Sequence, residues 1–182
     1  WALIALTWQP IFIFFYKFRI LIPLVISVTI LPESYVGYVM IVAGCGMFLG
    51  NFLGARMVEI FNPVRSVVIS MLSMTTVLIL NSILAEYTIA VFVLSFIVGV
   101  ITFSITAPIQ IAIIRAAKGA EKLGSSMNQS AFNMGNASGA YFGGLPMVFG
   151  LGVNYSSLVG GCLAFIGACI GISILYTQKR KA

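Results

Sequence analysis

The sequence predicts an all-α integral membrane protein: six transmembrane helices arranged as an inverted 3+3 repeat. Three observations carry that prediction. First, the chain is 60% hydrophobic and 8% charged, against about 25% charged residues in a soluble domain, so it has no way to cover its apolar surface in water. Second, eight of the ten Lys and Arg fall into three clusters: Arg56/Arg65, Arg115/Lys118/Lys122 and Lys179/Arg180/Lys181. Residues 66–114 and 123–178 contain neither Lys nor Arg, and each gap is long enough for two crossings of about 20 residues and a turn. Positive loops are retained in the cytoplasm, so each gap reads as an out-and-back hairpin. Third, the apolar runs are too long and too uniform to be anything but helices where backbone meets lipid.

The first span is expected over about residues 1–24, with an outer linker through Ser34. Residues 20–55 number only 36, which is tight for two crossings. Lys17 and Arg19 then lie within or near the outer third of the span. They either snorkel to the headgroups or face the bundle interior as substrate-binding candidates. Another arrangement puts them at the inner surface, heading a short span over 17–32, and strands the apolar residues 1–16. The chain opens at Trp1 inside an apolar run with no signal-peptide layout, and reads as lacking its natural front. The second, third and fourth spans are expected at about 36–55, 66–85 and 88–112, and the fifth and sixth at about 126–150 and 155–176. Short outer turns fall at 32–35, 86–87 and 150–154. The chain is read as one six-span domain over 1–182, with both termini cytoplasmic in the inner (plasma) membrane.

Two of these spans echo each other. Gly50-Asn51-Phe52-Leu53-Gly54-Ala55 ends the second, and Gly135-Asn136-Ala137-Ser138-Gly139-Ala140 lies in the fifth. Both belong to runs of glycines four apart: Gly46, Gly50, Gly54 and Gly135, Gly139, Gly143. That spacing puts each set on one helix stripe, where small residues let two backbones approach closely. Each helix is the middle one of its three-span unit and the two cross in opposite directions, the layout of an inverted repeat. The fifth span also carries Gln129, Asn133 and Asn136 at i, i+4 and i+7, on one side and roughly opposite the glycines. These amides either bond to neighbouring helices or offer donors and acceptors to a cavity. Gln110, near the inner end of the fourth span, is a similar candidate, and Pro108 beside it frees a backbone carbonyl and can kink the helix.

The absences narrow the chemistry. The chain has no His and no Asp, and its four acidic residues, Glu33, Glu59, Glu86 and Glu121, all sit in or beside loops. That excludes a Ser/His/Asp set, and the sequence shows no metal-ligand cluster, no phosphate-binding loop with its Lys and no haem-attachment motif. Enzyme activity and a cofactor are not expected, and a proton relay needs acids from elsewhere. Cys45, Cys162 and Cys169 lie in apolar segments, an odd count that suggests neither a disulfide framework nor a zinc site. The +6 net charge is loop charge; it points to anionic lipid at the basic tail rather than to nucleic acid.

The stretch Gly44-Cys45-Gly46-Met47-Phe48-Leu49-Gly50-Asn51-Phe52-Leu53-Gly54-Ala55-Arg56, followed by Pro63-Val64-Arg65, resembles span 8 and loop 8–9 of major facilitator transporters. Ala107-Pro108-Ile109-Gln110, Ala117-Lys118-Gly119-Ala120-Glu121, Ala131-Phe132-Asn133-Met134-Gly135-Asn136 and Gly139-Ala140-Tyr141-Phe142-Gly143-Gly144 resemble spans 10–11 of the arabinose-efflux-permease group, in the drug:proton antiporter branch. Trp1 through Leu6 and Pro23 fall where span 7 of that group has similar residues. The resemblance implies half of a major facilitator fold, spans 7–12, around a central site open alternately to each side. It implies that Arg56 and Glu59, with Arg65 nearby, belong to a gating loop at the inner surface. The chain departs from the group in lacking the N-terminal half, in carrying Lys17-Phe18-Arg19 within a span, and in lacking the acids that couple protons.

The expected function is therefore the C-terminal half of a secondary efflux transporter that exports a sugar or small amphipathic compound by proton antiport. Its partners would be the solute, protons, the lipid bilayer, and either an N-terminal six-span half or a second copy. Two alternatives stay open: a truncated, non-transporting remnant, and a six-span half-transporter working as a homodimer.

Overall fold

The computed structural model of the protein describes residues 34–181. They form six helices: α1 (Ser34–Ile60), α2 (Pro63–Leu84), α3 (Thr88–Ser104), α4 (Thr106–Ala116), α5 (Glu121–Val148) and α6 (Val153–Lys181). No strand occurs among the described residues. Helices α3 and α4 are separated only by Ile105 and together make one candidate crossing, Thr88–Ala116. Tyr35–Ile60, Pro63–Leu84 and Asn154–Gln178 are likewise long and apolar enough to cross a membrane, which makes four candidate spans among the described residues. Helix α5, at 28 residues, has the length, about 42 Å at 1.5 Å per residue. Its amides, serines and glycines make it less apolar than the other four. The expected first span, Lys17, Arg19 and the start of the 32–35 turn lie outside the described residues.

Most helix ends run a few residues past the apolar stretches that announce them. At the start of α2 the Asn62 side chain accepts from the Val64 N–H at 3.1 Å, and Pro63 occupies the first turn, where its missing N–H costs nothing. The α4–α5 turn uses Gly119 at φ 83° and the α5–α6 turn Gly150 at φ 71°, backbone conformations that glycine adopts without a Cβ penalty. Residues 34 and 35, expected in a turn, already belong to α1, and the last outer turn closes at Gly152, just before α6.

Helix α1 packs on α3, and α2 packs on α6. In the middle of the bundle Met74 and Leu78 of α2 meet Leu94 and Val98 of α3 and Ala164 of α6. Nearer the end that carries Arg56, Arg65 and Arg115, Val67 and Met71 of α2 enclose Ile105, Ile109 and Ile113, with Ala168 of α6. Large apolar side chains also cover the outside: Phe48 is 84% exposed and Phe52 66%. In lipid such an outside is no liability, but it also means that apolar burial does not drive the helices together. Close packing and interhelical hydrogen bonds must do so. The α1–α3 seam is the closest packing: Gly46 and Gly50 lie directly on the backbone of Phe96 and Val100, and Gly99 lies on Ala43.

Buried polar groups supply the hydrogen bonds. Ser66 Oγ donates to the Met57 carbonyl at 3.0 Å, and Ser70 and Ser104 hydroxyls share a bond of 3.4 Å, tying α2 to α1 and α3 at the basic end. At the opposite end Asn81 Nδ2 donates to Ser157 Oγ at 3.0 Å and Ser82 Oγ to the Asn154 carbonyl at 3.0 Å, tying α2 to α6. Ser156 Oγ donates to the Gly143 carbonyl at 3.1 Å and brings α5 into the same group.

Candidate functional site

The candidate site is built on α5 and on the part of α4 that faces it. Gly124, Ala131, Gly135, Gly139, Gly143 and Pro146 form the buried stripe of α5. Gln129 and Asn133 are exposed, and Asn136 is half-buried. At 100° per residue these amides centre about a quarter-turn from the glycines. They therefore lie beside the glycine stripe rather than opposite it, which corrects the placement expected from sequence. Asn136 sits at the border between the two faces. Its Oδ1 is buried with no hydrogen-bond partner.

Helix α4 holds Gln110 at the border of α5. Gln110 Nε2 donates to Ser125 Oγ at 3.1 Å, and Gln110 Oε1 accepts from Asn128 Nδ2. Asn128 Oδ1, at the end of this chain, is buried and has no partner. Gly124 allows the approach, because a Cβ there would lie 2.8 Å from the Ala117 Cβ. Ser125 and Asn128 are not among the residues that sequence reasoning selected. The visible signal was their spacing to Gln129 and to each other; what singles them out is the partner on α4, which no spacing within α5 reveals. Pro108 lies just beyond the interruption at Ile105. Its missing N–H leaves the Ser104 carbonyl without the usual i+4 donor.

The basic end of the bundle carries the loop residues. Arg56 Nη1 and Glu59 Oε2 pair at 2.8 Å, both about two-thirds exposed. A pair so open to water contributes under about 1 kcal/mol, weak enough to exchange partners. Arg65 is exposed in the first turn of α2. Glu121 Oε1 accepts from the Gly119 N–H at 2.9 Å, and that bond lowers its carboxyl below the usual value. Lys17 and Arg19 lie outside the described residues.

Chemically, the α4–α5 region offers neutral amides and hydroxyls. Such groups bind and release polar solutes by hydrogen bonding. They supply neither a nucleophile with its base nor a fixed charge. Among the described residues no cluster of three or more His, Cys, Asp or Glu could hold a metal ion.

Comparison with known proteins supplies the context. No family model matches the chain, and no solved structure matches it. Among curated proteins it is 30% identical over 159 residues to the putative transporter AraJ of Escherichia coli K12, covering 87% of this chain and 40% of that protein. It is 29% identical over 160 residues to the inner membrane transport protein YdhP of the same strain, with the same coverage. It is 30% identical over 151 residues to a probable sugar efflux transporter of Haemophilus influenzae PittGG, covering 83% of this chain and 38% of that protein. An MFS-type transporter of Bacillus subtilis, YtbD, is 27% identical over 160 residues. The chain thus spans about two-fifths of the length of the curated relatives it matches. With its apolar helices, its amide-bearing α5 and this kinship over most of its length, the chain belongs to the major facilitator superfamily of transporters.

Proposed function

We propose that the chain is the C-terminal six-span half of a secondary active efflux transporter, built as an inverted 3+3 repeat, that exports a sugar or small amphipathic compound. The observation that carries this reading is the exposed amide face of α5, Gln129 and Asn133, on a helix of membrane-spanning length in a chain related to transporters. Exposed amides facing lipid would be costly, so they face a polar space. Gln129, Asn133 and Asn136 contact the solute, with Gln110 beside them; Lys17 and Arg19 are further candidates. An N-terminal six-span half, or a second copy, closes the other side of the cavity, and alternating access rocks the halves about it.

The basic clusters face the cytoplasm and both termini lie on that side of the inner membrane. There Arg56, Glu59 and Arg65 act as the gating loop, the exposed Arg56–Glu59 pair exchanging partners as the gate moves. Glu59 and Glu121 lie at helix ends and Glu86 in the turn between α2 and α3, so proton antiport draws its acids from the other half.

Flux in proteoliposomes tests the reading. The 182-residue chain together with a six-span N-terminal half is expected to move a labelled sugar against its gradient when a pH gradient is imposed. The 182-residue chain alone is expected to move none. Saturable flux from the chain alone would make a second copy, not an N-terminal half, the partner that closes the site, and flux indifferent to the pH gradient would remove proton antiport.

A further inference from the structure

We propose that Asn128 is a ligand-binding residue of the transport site, that Gln110 is its positioning residue, and that the bare end of the Asn128 amide binds a hydroxyl of the transported solute. The proposal rests on the transporter reading above and narrows it to hydroxyl-bearing solutes.

Three observations carry it. The first is directional. Asn128 Nδ2 donates to Gln110 Oε1, and Gln110 Nε2 donates to Ser125 Oγ at 3.1 Å. The chain of bonds is polarised along its length, which strengthens the acceptor character of the Asn128 carbonyl at its end. The second is that this carbonyl oxygen is buried and has no partner, whereas buried polar atoms are nearly always bonded. Joining α4 to α5 needs only the Nδ2 end, so helix adhesion does not account for the carbonyl. Exchanging the two ends of both amides would still leave one end of Asn128 bare, and a hydroxyl meets it in either arrangement, since it both donates and accepts.

The third is repetition. Asn136 Oδ1 is a second buried oxygen on α5 without a partner, eight residues on and so about 12 Å along the axis at 1.5 Å per residue and about 80° around it. A solute with several hydroxyls can address both positions. One with a single cationic centre cannot. The chemistry required is that of a neutral polyhydroxyl compound.

The test uses the 182-residue chain together with its N-terminal six-span half in detergent, with lactose as the neutral polyhydroxyl probe and ethidium as the cationic one, read by calorimetric affinity and by the shift of the melting temperature on binding. Wild type is expected to bind lactose. Asn128→Ala is expected to weaken lactose binding by about tenfold, the loss of one hydrogen bond in a dry site. Asn128→Ser, which keeps a short hydroxyl, is expected to recover most of that loss, and it carries the test if the alanine variant does not fold. Gln110→Ala is expected to weaken binding about threefold, and to add nothing in combination with Asn128→Ala, because Gln110 acts through Asn128. If Asn128→Ala and Asn128→Ser both bind lactose like wild type while Gln129→Ala or Asn133→Ala does not, the role of Asn128 is overturned and the transport site stands. If wild type binds ethidium and not lactose, the hydroxyl assignment is overturned and the transporter reading stands. If wild type binds neither, both fall.

Discussion

Gly54 lies on the backbone of Ser104: a Cβ at Gly54 would sit 2.5 Å from the Ser104 carbonyl oxygen. That oxygen is the one that Pro108 leaves without an i+4 N–H. The loss of a helical bond in α3–α4 and the loss of a side chain in α1 therefore meet at one atom. The Ser104 carbonyl faces a residue whose Cα hydrogens can approach it, as the Phe96 and Val100 carbonyls face Gly46 and Gly50, a weak bond in itself but one repeated in helix contacts. The Ser104 hydroxyl, shared with Ser70, holds the same turn from the other side.

Substituting the seam glycines should separate α1 from α3. Gly50→Ala would drive a methyl into the backbone of Val100, and backbone cannot step aside. The expected cost is about 1–3 kcal/mol, typical of overpacking, seen as a lower melting temperature in detergent. Gly44→Ala, seven residues before Asn51 on the same helix, meets nothing within 4 Å and should be neutral or slightly stabilising. Equal effects at the two positions would show that the seam is not close-packed.

The polar ties of α2 should be measurable one by one. Asn81 is almost fully buried, and its Nδ2 bonds to Ser157. Asn81→Ala is expected to cost about 1 kcal/mol, in the range of interhelical hydrogen bonds measured in membranes. A double-mutant cycle with Ser157→Ala checks it: a coupling near zero would mean that the pair is close but not bonded.

The exposed amides should matter to flux and not to folding. Gln129→Ala and Asn133→Ala in the complete transporter are each expected to raise KM about fivefold, one hydrogen bond's worth. Melting temperatures should stay within about 2 °C, since surface substitutions away from packed features are near-neutral. A fall in melting temperature with unchanged KM would assign both residues to packing against the other half.

The first turn of α5 should be sensitive to acid. Glu121 accepts from the Gly119 N–H, and this lowers its pKa in the folded chain. The stabilisation is fully present above the ordinary carboxyl value of 4.5 and is lost as pH falls through the lower folded value. Amide exchange at Gly119, corrected for the intrinsic pH dependence, should therefore accelerate as the pH falls below the ordinary carboxyl value of 4.5. Glu121→Gln should remove that pH dependence, and an unchanged profile in the variant would break the assignment.

Much of the helix layout is legible in the sequence because lipid imposes one demand, long apolar runs, on every crossing. The stretches 36–55, 66–85, 88–112 and 155–176 overlap the four helices that are long and apolar enough to cross a membrane. What periodicity does not convey is who the neighbour is. Spacing does place Gln129, Asn133 and Asn136 about a quarter-turn from Gly135, Gly139 and Gly143 at 100° per residue, so setting them opposite the glycines misjudges an angle that the sequence already carries. Asn128 shares the stripe of Gly124, Ala131 and Gly135 by its spacing, but its partner is fixed only when α4 places Gln110 against it. The interruption at Ile105 is similar: Pro108 announces a lost bond, but not that α3 ends at Ser104.

The ties on α2 restrict how the bundle can move. One end is riveted to α1 and α3 through Ser66 and Ser70, the other to α6 through Asn81 and Ser82. A rod fastened near both tips cannot ratchet along its neighbours by a helical turn of about 5.4 Å without breaking several buried bonds together. It acts as a mast: the surrounding helices lean with it, and their sideways bending is the freedom that is left.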